Sequence, residues 1–242
     1  MLTGMYAQSI VLLTGVGGEG QVGEAVANAF AALGASLVLV DRTAEKVEAR
    51  AAAIAAGGGL ARAYSCDLTD PEAVGGLVGR VRANHGDKLR ALVHMAGGFQ
   101  MSGPVADSSV DVWHRQLAIN LTTAYLTARA FLPMLRADRG SLLFFSSEAA
   151  LPASTGEGIS AYAIAKHGVA ALARAIAAEE APNGVRANAI APTAIRTASN
   201  LRSMGDSASY VEREDVANIV TYLCSQRASA ISGQLVALTS IA

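Results

Sequence analysis

Short apolar runs alternate with longer helix-forming segments along the whole chain, and this alternation is what most constrains the fold. Runs such as Leu37–Val40 are apolar at every position, which is typical of strands buried on both faces of a parallel sheet. Six β-α units in series predict an α/β fold with a doubly wound parallel sheet of about seven strands. No linker or repeat divides the chain, so we expect a single domain over residues 1–242.

The individual elements follow from periodicity and turn signals. The expected strands are Ile10–Thr14, Leu37–Asp41, Arg62–Cys66, Leu89–His94, Leu142–Ser146, Arg186–Ile190 and Leu235–Leu238. Helices are expected to begin near Gly23, Thr43, Pro71, Ser108, Ser160 and Glu212. This order predicts a Rossmann-type sheet with helices on both faces, which binds its ligands at the carboxyl ends of the strands.

Composition and charge restrict the possible functions. Hydrophobic residues make up 52% of the chain and the net charge is −1, so no basic surface for nucleic acid or an anionic membrane is expected. The amino terminus lacks a basic leader, and no charge-free run reaches membrane-spanning length. Cys66 and Cys224 have neither metal-site nor redox spacing, and no metal site is expected. These features predict a cytoplasmic protein.

A glycine-rich loop follows the first expected strand. It runs from Thr14 to Gly23 and opens a helix, so its backbone amides and the helix amino terminus can approach a pyrophosphate. Asp41 ends the next strand, where a carboxylate can bond the hydroxyls of an adenosine ribose. Asp41 would repel a 2′-phosphate and favours NAD, whereas Arg42 could accept one, so NADP is also possible. The alternative interpretation of the loop is a tight structural turn.

Ser147, Tyr162 and Lys166 form the most informative constellation. Tyr162 and Lys166 are four residues apart, so on a helix they project from one face. An ammonium beside a phenol favours the phenolate, and we expect Lys166 to lower the pKa of Tyr162 towards neutrality. Ser147 could hydrogen-bond the oxygen of a reacting alcohol or ketone. A Tyr–Lys pair alone is weak support, because most such pairs are ordinary neighbours on a helix surface.

Together these motifs resemble the short-chain dehydrogenase/reductase family, in its shorter single-domain form, over essentially the whole chain. The resemblance implies a catalytic tetrad of Asn120, Ser147, Tyr162 and Lys166. The coenzyme-binding residues that it implies are Gly15, Gly20, Val22, Gly23, Asp41, Arg42, Asp67, Leu68, Ala96, Gly97, Tyr162, Lys166, Pro192, Ile195 and Thr197. The expected substrate-pocket residues are Phe99, Met101, Ala149, Leu151, Thr193 and Met204.

The implied reaction is reversible hydride transfer between NAD(P) and a secondary alcohol or ketone. Tyr162 is expected to act as acid or base, Lys166 to bind the nicotinamide ribose, and Ser147 to orient the substrate oxygen. Asn120 is expected to position a water in a proton relay. Residues 193–210 are expected to form a mobile lid. The long helices that hold Asn120 and Tyr162, the second of them rich in small residues, imply by the same resemblance a homodimer or homotetramer.

Five departures from the family pattern accompany this resemblance. The glycine loop and the step from Ser147 to Tyr162 are each two residues longer than usual, and His94-Met95 replaces an asparagine pair. Thr193 stands where glycine usually follows Pro192, and the last three residues, 240–242, lack the common Asp-Gly-Gly. A catalytically silent dinucleotide-binding sensor or scaffold is therefore the main alternative. An enoyl reductase is a third possibility, although the divergent form of the family spaces its tyrosine and lysine more widely. The sequence leaves the physiological substrate and the direction of reaction open.

Overall fold

A computed structural model describes residues 4–240, and one parallel sheet runs through them. Its strand order is β3-β2-β1-β4-β5-β6-β7, which confirms the expected doubly wound sheet. The strands are β1 Ile10–Thr14, β2 Ser36–Asp41, β3 Leu60–Ser65, β4 Ala91–His94, β5 Ser141–Phe145, β6 Arg186–Pro192 and β7 Leu235–Leu238. The predicted domain limits at residues 1–3 and 241–242 lie outside the described residues.

Helices connect the strands on both faces of the sheet. They are α1 Val22–Ala32, α2 Ala44–Ala56, α3 Pro71–His85, α4 Val110–Leu117, α5 Thr123–Arg136, α6 Ser160–Glu180, α7 Ala198–Met204 and α8 Arg213–Cys224. A π-helical turn, Ala118–Thr122, joins α4 to α5. Short 3₁₀ turns lie at Val105–Asp107, Glu148–Ala150, Ala181–Asn183 and Gln226–Ala228.

The alternation of side chains along the strands divides the core into two layers. In β1, Val11 and Leu13 pack with α1, α2 and α8, whereas Leu12 packs on the opposite face with α3, α5 and α6. Both faces of the strand are fully buried, because helices cover each side of the sheet. This explains why the central strands are apolar at nearly every position.

Two elements differ from the sequence-based expectation. The long helix expected from Ser108 is interrupted by the π-helical turn, which has no recognisable sequence signal of its own. The segment expected to be a lid contains α7, whose amino terminus is capped by the Thr197 hydroxyl. Strand boundaries differ by one to two residues at half of the ends, as is usual where periodicity alone defines them.

Candidate active site

The candidate site lies at the carboxyl ends of β1 and β4, where the strand order reverses. At this point of the sheet, the loop that follows β1 and the loop that follows β4 lie in contact. A Cβ added at Gly15 would lie 2.5 Å from the backbone nitrogen of Ala96, so only glycine fits there. The sheet therefore opens a crevice at the place where doubly wound folds bind dinucleotides.

The glycine loop has the backbone that close approach to a phosphate requires. Gly15, Gly17 and Gly20 have φ values of 67°, 62° and 73°, which side chains rarely adopt. A Cβ at Gly23 would overlap the carbonyl of Val16, so α1 begins directly against the loop. Space beside Gly18 is open, and no side chain caps the first turn of α1. The loop therefore has the backbone that the predicted pyrophosphate site requires.

Asp41, at the end of β2, is fixed by the backbone around it. Its carboxylate oxygens accept the amide of Gly17 at 2.9 Å and that of Thr43 at 3.2 Å. Each oxygen keeps further acceptor capacity, so the carboxylate can also receive ribose hydroxyls. Arg42 is exposed beside it. Asp41 and Arg42, the two residues on which the expected preference between NAD and NADP depends, thus lie at the edge of the crevice.

A second acidic residue, Glu24, holds the glycine loop from within α1. Its Oε2 accepts the amide of Gly20 at 2.7 Å, and its Oε1 lies 2.6 Å from the guanidinium of Arg50. Arg213 of α8 approaches the same carboxylate at 3.4 Å. Burial alone would raise the pKa of Glu24, but the bonds from Gly20 and Arg50 outweigh it and lower the pKa. Glu24 belongs to no sequence motif, and its role depends on Arg50 and Arg213, which are distant along the chain.

The glycine loop also holds the segment after β6. The amide of Ala198 donates to the Gly20 carbonyl at 2.9 Å, and the Ser199 hydroxyl donates to the Gln21 side chain at 3.1 Å. The amino terminus of α7 is therefore docked on the coenzyme loop. The expected lid is anchored at this end by the loop residues themselves.

Tyr162 and Lys166 lie one turn apart on α6, as their spacing predicted, and Ser147 follows β5. The Lys166 ammonium is 5.7 Å from the centre of the Tyr162 ring. Burial raises the pKa of Tyr162, a hydrogen bond with Ser147 acts against this, and the charge of Glu148 raises it further. The expected lowering of the Tyr162 pKa is thus not what this geometry gives, because burial dominates and is invisible in the sequence.

Lys166 is buried with its charge compensated by a single backbone group. Its Nζ donates to the carbonyl of Phe145 at 2.8 Å, and burial lowers its pKa to about 8. The Ser146 hydroxyl donates to the backbone carbonyl of Lys166 at 2.9 Å and ties α6 to the end of β5. Ser146 therefore has a structural role, and it positions the residue that carries the ammonium.

Asn120 lies in the π-helical turn and is 1% exposed. Its Nδ2 donates to the Gly98 carbonyl at 2.9 Å and to the Gln116 carbonyl at 3.0 Å, while its Oδ1 accepts the Gly98 amide at 3.1 Å. A Cβ at Gly97 would lie 2.5 Å from that Oδ1 and 3.5 Å from the Lys166 Nζ. The side-chain amide expected to hold a relay water instead braces the loop after β4, although it lies beside Lys166.

The acidic turn and the segment after β6 complete the expected coenzyme contacts. The Asp67 carboxylate accepts hydrogen bonds from the hydroxyl and the amide of Thr69. Both bonds lower the pKa of Asp67, and the bond from the hydroxyl has the larger effect. Leu68 is buried in the core. Leu68 can therefore offer a ligand only its backbone, since its side chain packs inside the protein. Pro192, Ile195 and Thr197 are buried at the end of β6 and beyond, and Val22 and Ala96 border the crevice with partial exposure.

The expected substrate-pocket residues are mostly exposed apolar side chains at the rim of the crevice. Phe99 is 62% exposed and stacks edge-on against Tyr162, with ring centres 5.1 Å apart. Met101 and Met204 are 65% and 52% exposed, and Leu151 is partly buried. Ala149 departs from the expectation, because it is 3% exposed and its side chain packs inward at the 3₁₀ turn after β5.

Thr193 brings an unsatisfied hydroxyl to this region. Its Oγ1 is buried and has no hydrogen-bond partner within residues 4–240, although its amide donates to Leu238 at 2.9 Å. Buried hydroxyls normally find a partner. A bound ligand that offers a polar group here would satisfy it, which agrees with the expected place of Thr193 in the pocket wall.

Comparisons with known proteins agree with this geometry. Residues 15–239 match the family model described as enoyl-(acyl carrier protein) reductase. D-Threitol dehydrogenase from Mycolicibacterium smegmatis is 30% identical over 236 residues, covering 93% of this chain and 88% of that protein. Further proteins match at 30% identity, and several of them are named as dehydrogenases.

Solved structures of similar proteins carry bound coenzymes. An NAD+-bound xylitol dehydrogenase has a TM-score of 0.87 and 26% identity, covering 97% of this chain and 99% of that one. A Beutenbergia cavernae protein provisionally assigned as an NAD(P)-dependent gluconate 5-dehydrogenase has NADP bound at low occupancy. It has a TM-score of 0.86 and 29% identity, covering 97% of this chain and 96% of that one.

The chain belongs to the short-chain dehydrogenase/reductase family. It is an oxidoreductase that transfers a hydride between NAD(P) and a CH–OH group or the corresponding carbonyl. The alternative of a catalytically silent sensor or scaffold is not supported. Between residues 4 and 240, no helix is long and apolar enough to cross a membrane, and no group of three or more His, Cys, Asp or Glu side chains could hold a metal ion.

The Glu24 network predicts that loss of this carboxylate weakens both the fold and coenzyme binding. Glu24→Ala frees the Gly20 amide and leaves Arg50, only 8% exposed, without its partner. We expect a loss of about 2–4 kcal/mol in the free energy of unfolding. NADH binding, followed by fluorescence titration, should weaken about tenfold. Glu19→Ala, an exposed acid in the same loop, is the matched control, and equal effects of both changes would contradict the proposed role of Glu24.

Proposed function

We propose that this protein interconverts small secondary alcohols and ketones, with NAD as its preferred coenzyme and with Asn120, Ser147, Tyr162 and Lys166 as its catalytic machinery. The carrying observation is that the Tyr162 phenol, with Ser147 close enough to influence its pKa, has the buried Lys166 ammonium 5.7 Å from its ring centre, beside the coenzyme crevice. The proposed domain spans residues 1–242 and works in the cytoplasm. Its partners are small molecules, not nucleic acid or membranes.

Each residue has a proposed task that its contacts support. When bound, the coenzyme supplies the nicotinamide carbon that accepts or donates the hydride. Tyr162 exchanges a proton with the substrate oxygen, and its raised pKa keeps the phenol protonated and ready to donate at neutral pH. Ser147 holds the same oxygen by a hydrogen bond that strengthens as charge develops.

Lys166 and Asn120 act behind the phenol. The Lys166 ammonium provides positive charge for a developing phenolate and donors for the nicotinamide ribose hydroxyls. A pKa of about 8 lets Lys166 release or take up a proton near neutrality. Asn120 holds Gly98 and lies beside the ammonium, so it keeps the loop after β4 clear of the Lys166 donors.

The rim of the crevice supports a substrate with an apolar body. Phe99, Met101 and Met204 expose large apolar surfaces there, and Glu148 contributes a negative charge next to Ser147. Such a rim disfavours an anionic group near the reacting carbon. Among the similar proteins, threitol, xylitol and gluconate dehydrogenases are named for polyhydroxy substrates. Secondary alcohol oxidation is the chemistry that these names share.

A homodimer or homotetramer is supported by an open apolar groove between α5 and α6. The groove has a volume of about 510 Å³ and includes Leu121, Tyr125, Gly168, Ala171, Leu172 and Ala175. Tyr125 and the nearby Ile164 are 50% and 49% exposed. A flat apolar face of this kind is a liability on a monomer.

The acid–base assignment predicts the effect of Tyr162→Phe. Removal of the phenolic hydroxyl should lower kcat by about 10²–10⁴-fold, because the substrate oxygen loses its proton partner. NADH binding, measured by fluorescence titration, should remain. The assay panel is D-threitol, xylitol, meso-2,3-butanediol and their ketones, with crotonyl-CoA to detect enoyl reduction. Tyr64→Phe is the control, and turnover that survives Tyr162→Phe would refute the assignment.

The coenzyme assignment predicts that NADH binds more tightly than NADPH. The Asp41 carboxylate repels a 2′-phosphate, so Asp41→Ser should strengthen NADPH binding about tenfold while Arg42 remains. Fluorescence titrations with both coenzymes measure this change. Glu45→Gln, an exposed acid in the first turn of α2, should leave the preference unaltered. Tighter binding of NADPH than NADH by the unmodified protein would overturn the preference.

The groove between α5 and α6 predicts a mass of two or four times the 24.7 kDa chain by light scattering. Ala171→Arg places a charge in the groove and should shift the protein towards monomers. Ala178→Arg changes an exposed position further along the same helix and should leave the mass unchanged. A monomeric unmodified protein at micromolar concentration would rule out the proposed assembly.

A further inference from the structure

His94 ends β4 and is 2% exposed, enclosed by polar groups from two other elements. Its Nδ1 lies 3.0 Å from the Thr14 hydroxyl at the end of β1. Its Nε2 lies 3.2 Å from the hydroxyl of Thr123, the first residue of α5. The imidazole therefore bridges the switch point of the sheet and the helix segment that follows the π-helical turn.

The hydrogen bonds define which imidazole nitrogen carries the proton. The Thr123 hydroxyl donates its single proton to the Ile119 carbonyl at 2.8 Å, so towards His94 it can only accept. His94 must therefore donate from Nε2, and its Nδ1 accepts from the Thr14 hydroxyl. This is the Nε2–H tautomer. Burial and the nearby Lys166 charge lower the pKa of His94 to about 3, so the ring is neutral.

The hydrogen bond from the Thr123 hydroxyl to the Ile119 carbonyl replaces a backbone hydrogen bond that the helix lacks at this point. In an α-helix the Thr123 amide would donate to the Ile119 carbonyl four residues back. In the π-helical turn the Thr123 amide donates instead to the Ala118 carbonyl, five residues back. The Thr123 hydroxyl takes the place of its own amide at Ile119. A side chain thus satisfies a carbonyl that the wider turn has released.

We propose that His94 is a positioning residue of the active site: its neutral Nε2–H imidazole orients the Thr123 hydroxyl towards Ile119 and so maintains the π-helical turn that carries Asn120. Asn120 in turn holds both backbone groups of Gly98, next to the Lys166 ammonium. The role in catalysis rests on the proposed function of the tetrad. The structural link from His94 to Gly98 is independent of it.

The surroundings of His94 also exclude a role for its ring in proton transfer. Other groups that face the ring are the Lys166 ammonium and the Phe144 ring, whose centre is 6.2 Å away. No acidic side chain within residues 4–240 forms a hydrogen bond or an ion pair with the ring, whose nitrogens face Thr14 and Thr123. A proton moving through the site would have to create an imidazolium beside the buried ammonium. His94 is therefore a fixed donor, and it does not carry protons to Tyr162.

Paired substitutions of Thr123 test the link from His94 to the site. Thr123→Val keeps the side-chain shape but removes the hydroxyl, so exchange of the Gly98 amide with solvent should accelerate about tenfold. With any alcohol of the panel that is turned over, kcat should fall about tenfold while the KM for NAD stays within about twofold. Thr123→Ser should restore both quantities, because it restores the hydroxyl.

Thr127→Val is the matched control, because Thr127 lies one turn further along α5, is fully buried, and has a hydroxyl without a hydrogen-bond partner within residues 4–240. It should change neither Gly98 exchange nor kcat. If Thr123→Val folds and leaves Gly98 exchange unchanged, the proposed link is wrong. If exchange accelerates but none of the panel is turned over, the structural link stands and the proposed function fails on its own.

The ring itself gives a second test that needs no substrate. Long-range proton–nitrogen NMR spectra of the uniformly ¹⁵N-labelled protein, with His94→Gln to assign the signal, report the tautomer. We expect Nε2–H and a neutral ring throughout pH 5–9, whereas an unperturbed histidine titrates near 6.5. An Nδ1–H tautomer, or a titration of this ring within that range, would overturn the proposal.

Discussion

One buried cation organises the candidate site. Lys166 is 5% exposed, and its ammonium is compensated by the Phe145 carbonyl, at the end of the strand that also leads into Ser147. A charge in this position restricts everything around it. Position 97, beside the ammonium, must be glycine, since a Cβ would lie 2.5 Å from the Oδ1 of Asn120. The histidine at position 94 must be neutral, because a second cation nearby would add repulsion to the cost of its own burial.

The same constraint explains why the tetrad is braced by backbone contacts from several elements. Lys166 is fixed through its carbonyl by Ser146, while Asn120 grips Gly98. Neither contact involves a reacting atom. The first positions the residue that carries the ammonium, and the second positions the loop beside it. Since a buried ammonium and a buried phenol both lose much of their hydration, small displacements would change the relative energies of their protonation states. Rigid placement is thus part of the proton chemistry.

The fold and the placement of Tyr162 and Lys166 one turn apart on a single helix could be predicted because their signals are local. Apolar strands, the glycine loop and the four-residue step from Tyr162 to Lys166 are all visible within short windows of sequence. The π-helical turn could not be predicted, because it depends on Thr123, His94 and Thr14 meeting from three separate segments. The predicted direction of the shift in the Tyr162 pKa was wrong for a similar reason, because the burial that raises this pKa is set by the whole fold.

Two departures from the family pattern acquire physical meaning in this structure. The lengthened step between Ser147 and Tyr162 includes Gly158, whose carbonyl accepts the amides of Ser102 and Gly103 at 2.9 and 3.0 Å. The insertion is therefore tied to the loop that carries Phe99 over Tyr162. The lengthened glycine loop likewise binds the amino terminus of α7 through Gly20. Because both extensions join a catalytic or coenzyme element to a pocket wall, they would couple the choice of substrate to the geometry of the reacting groups.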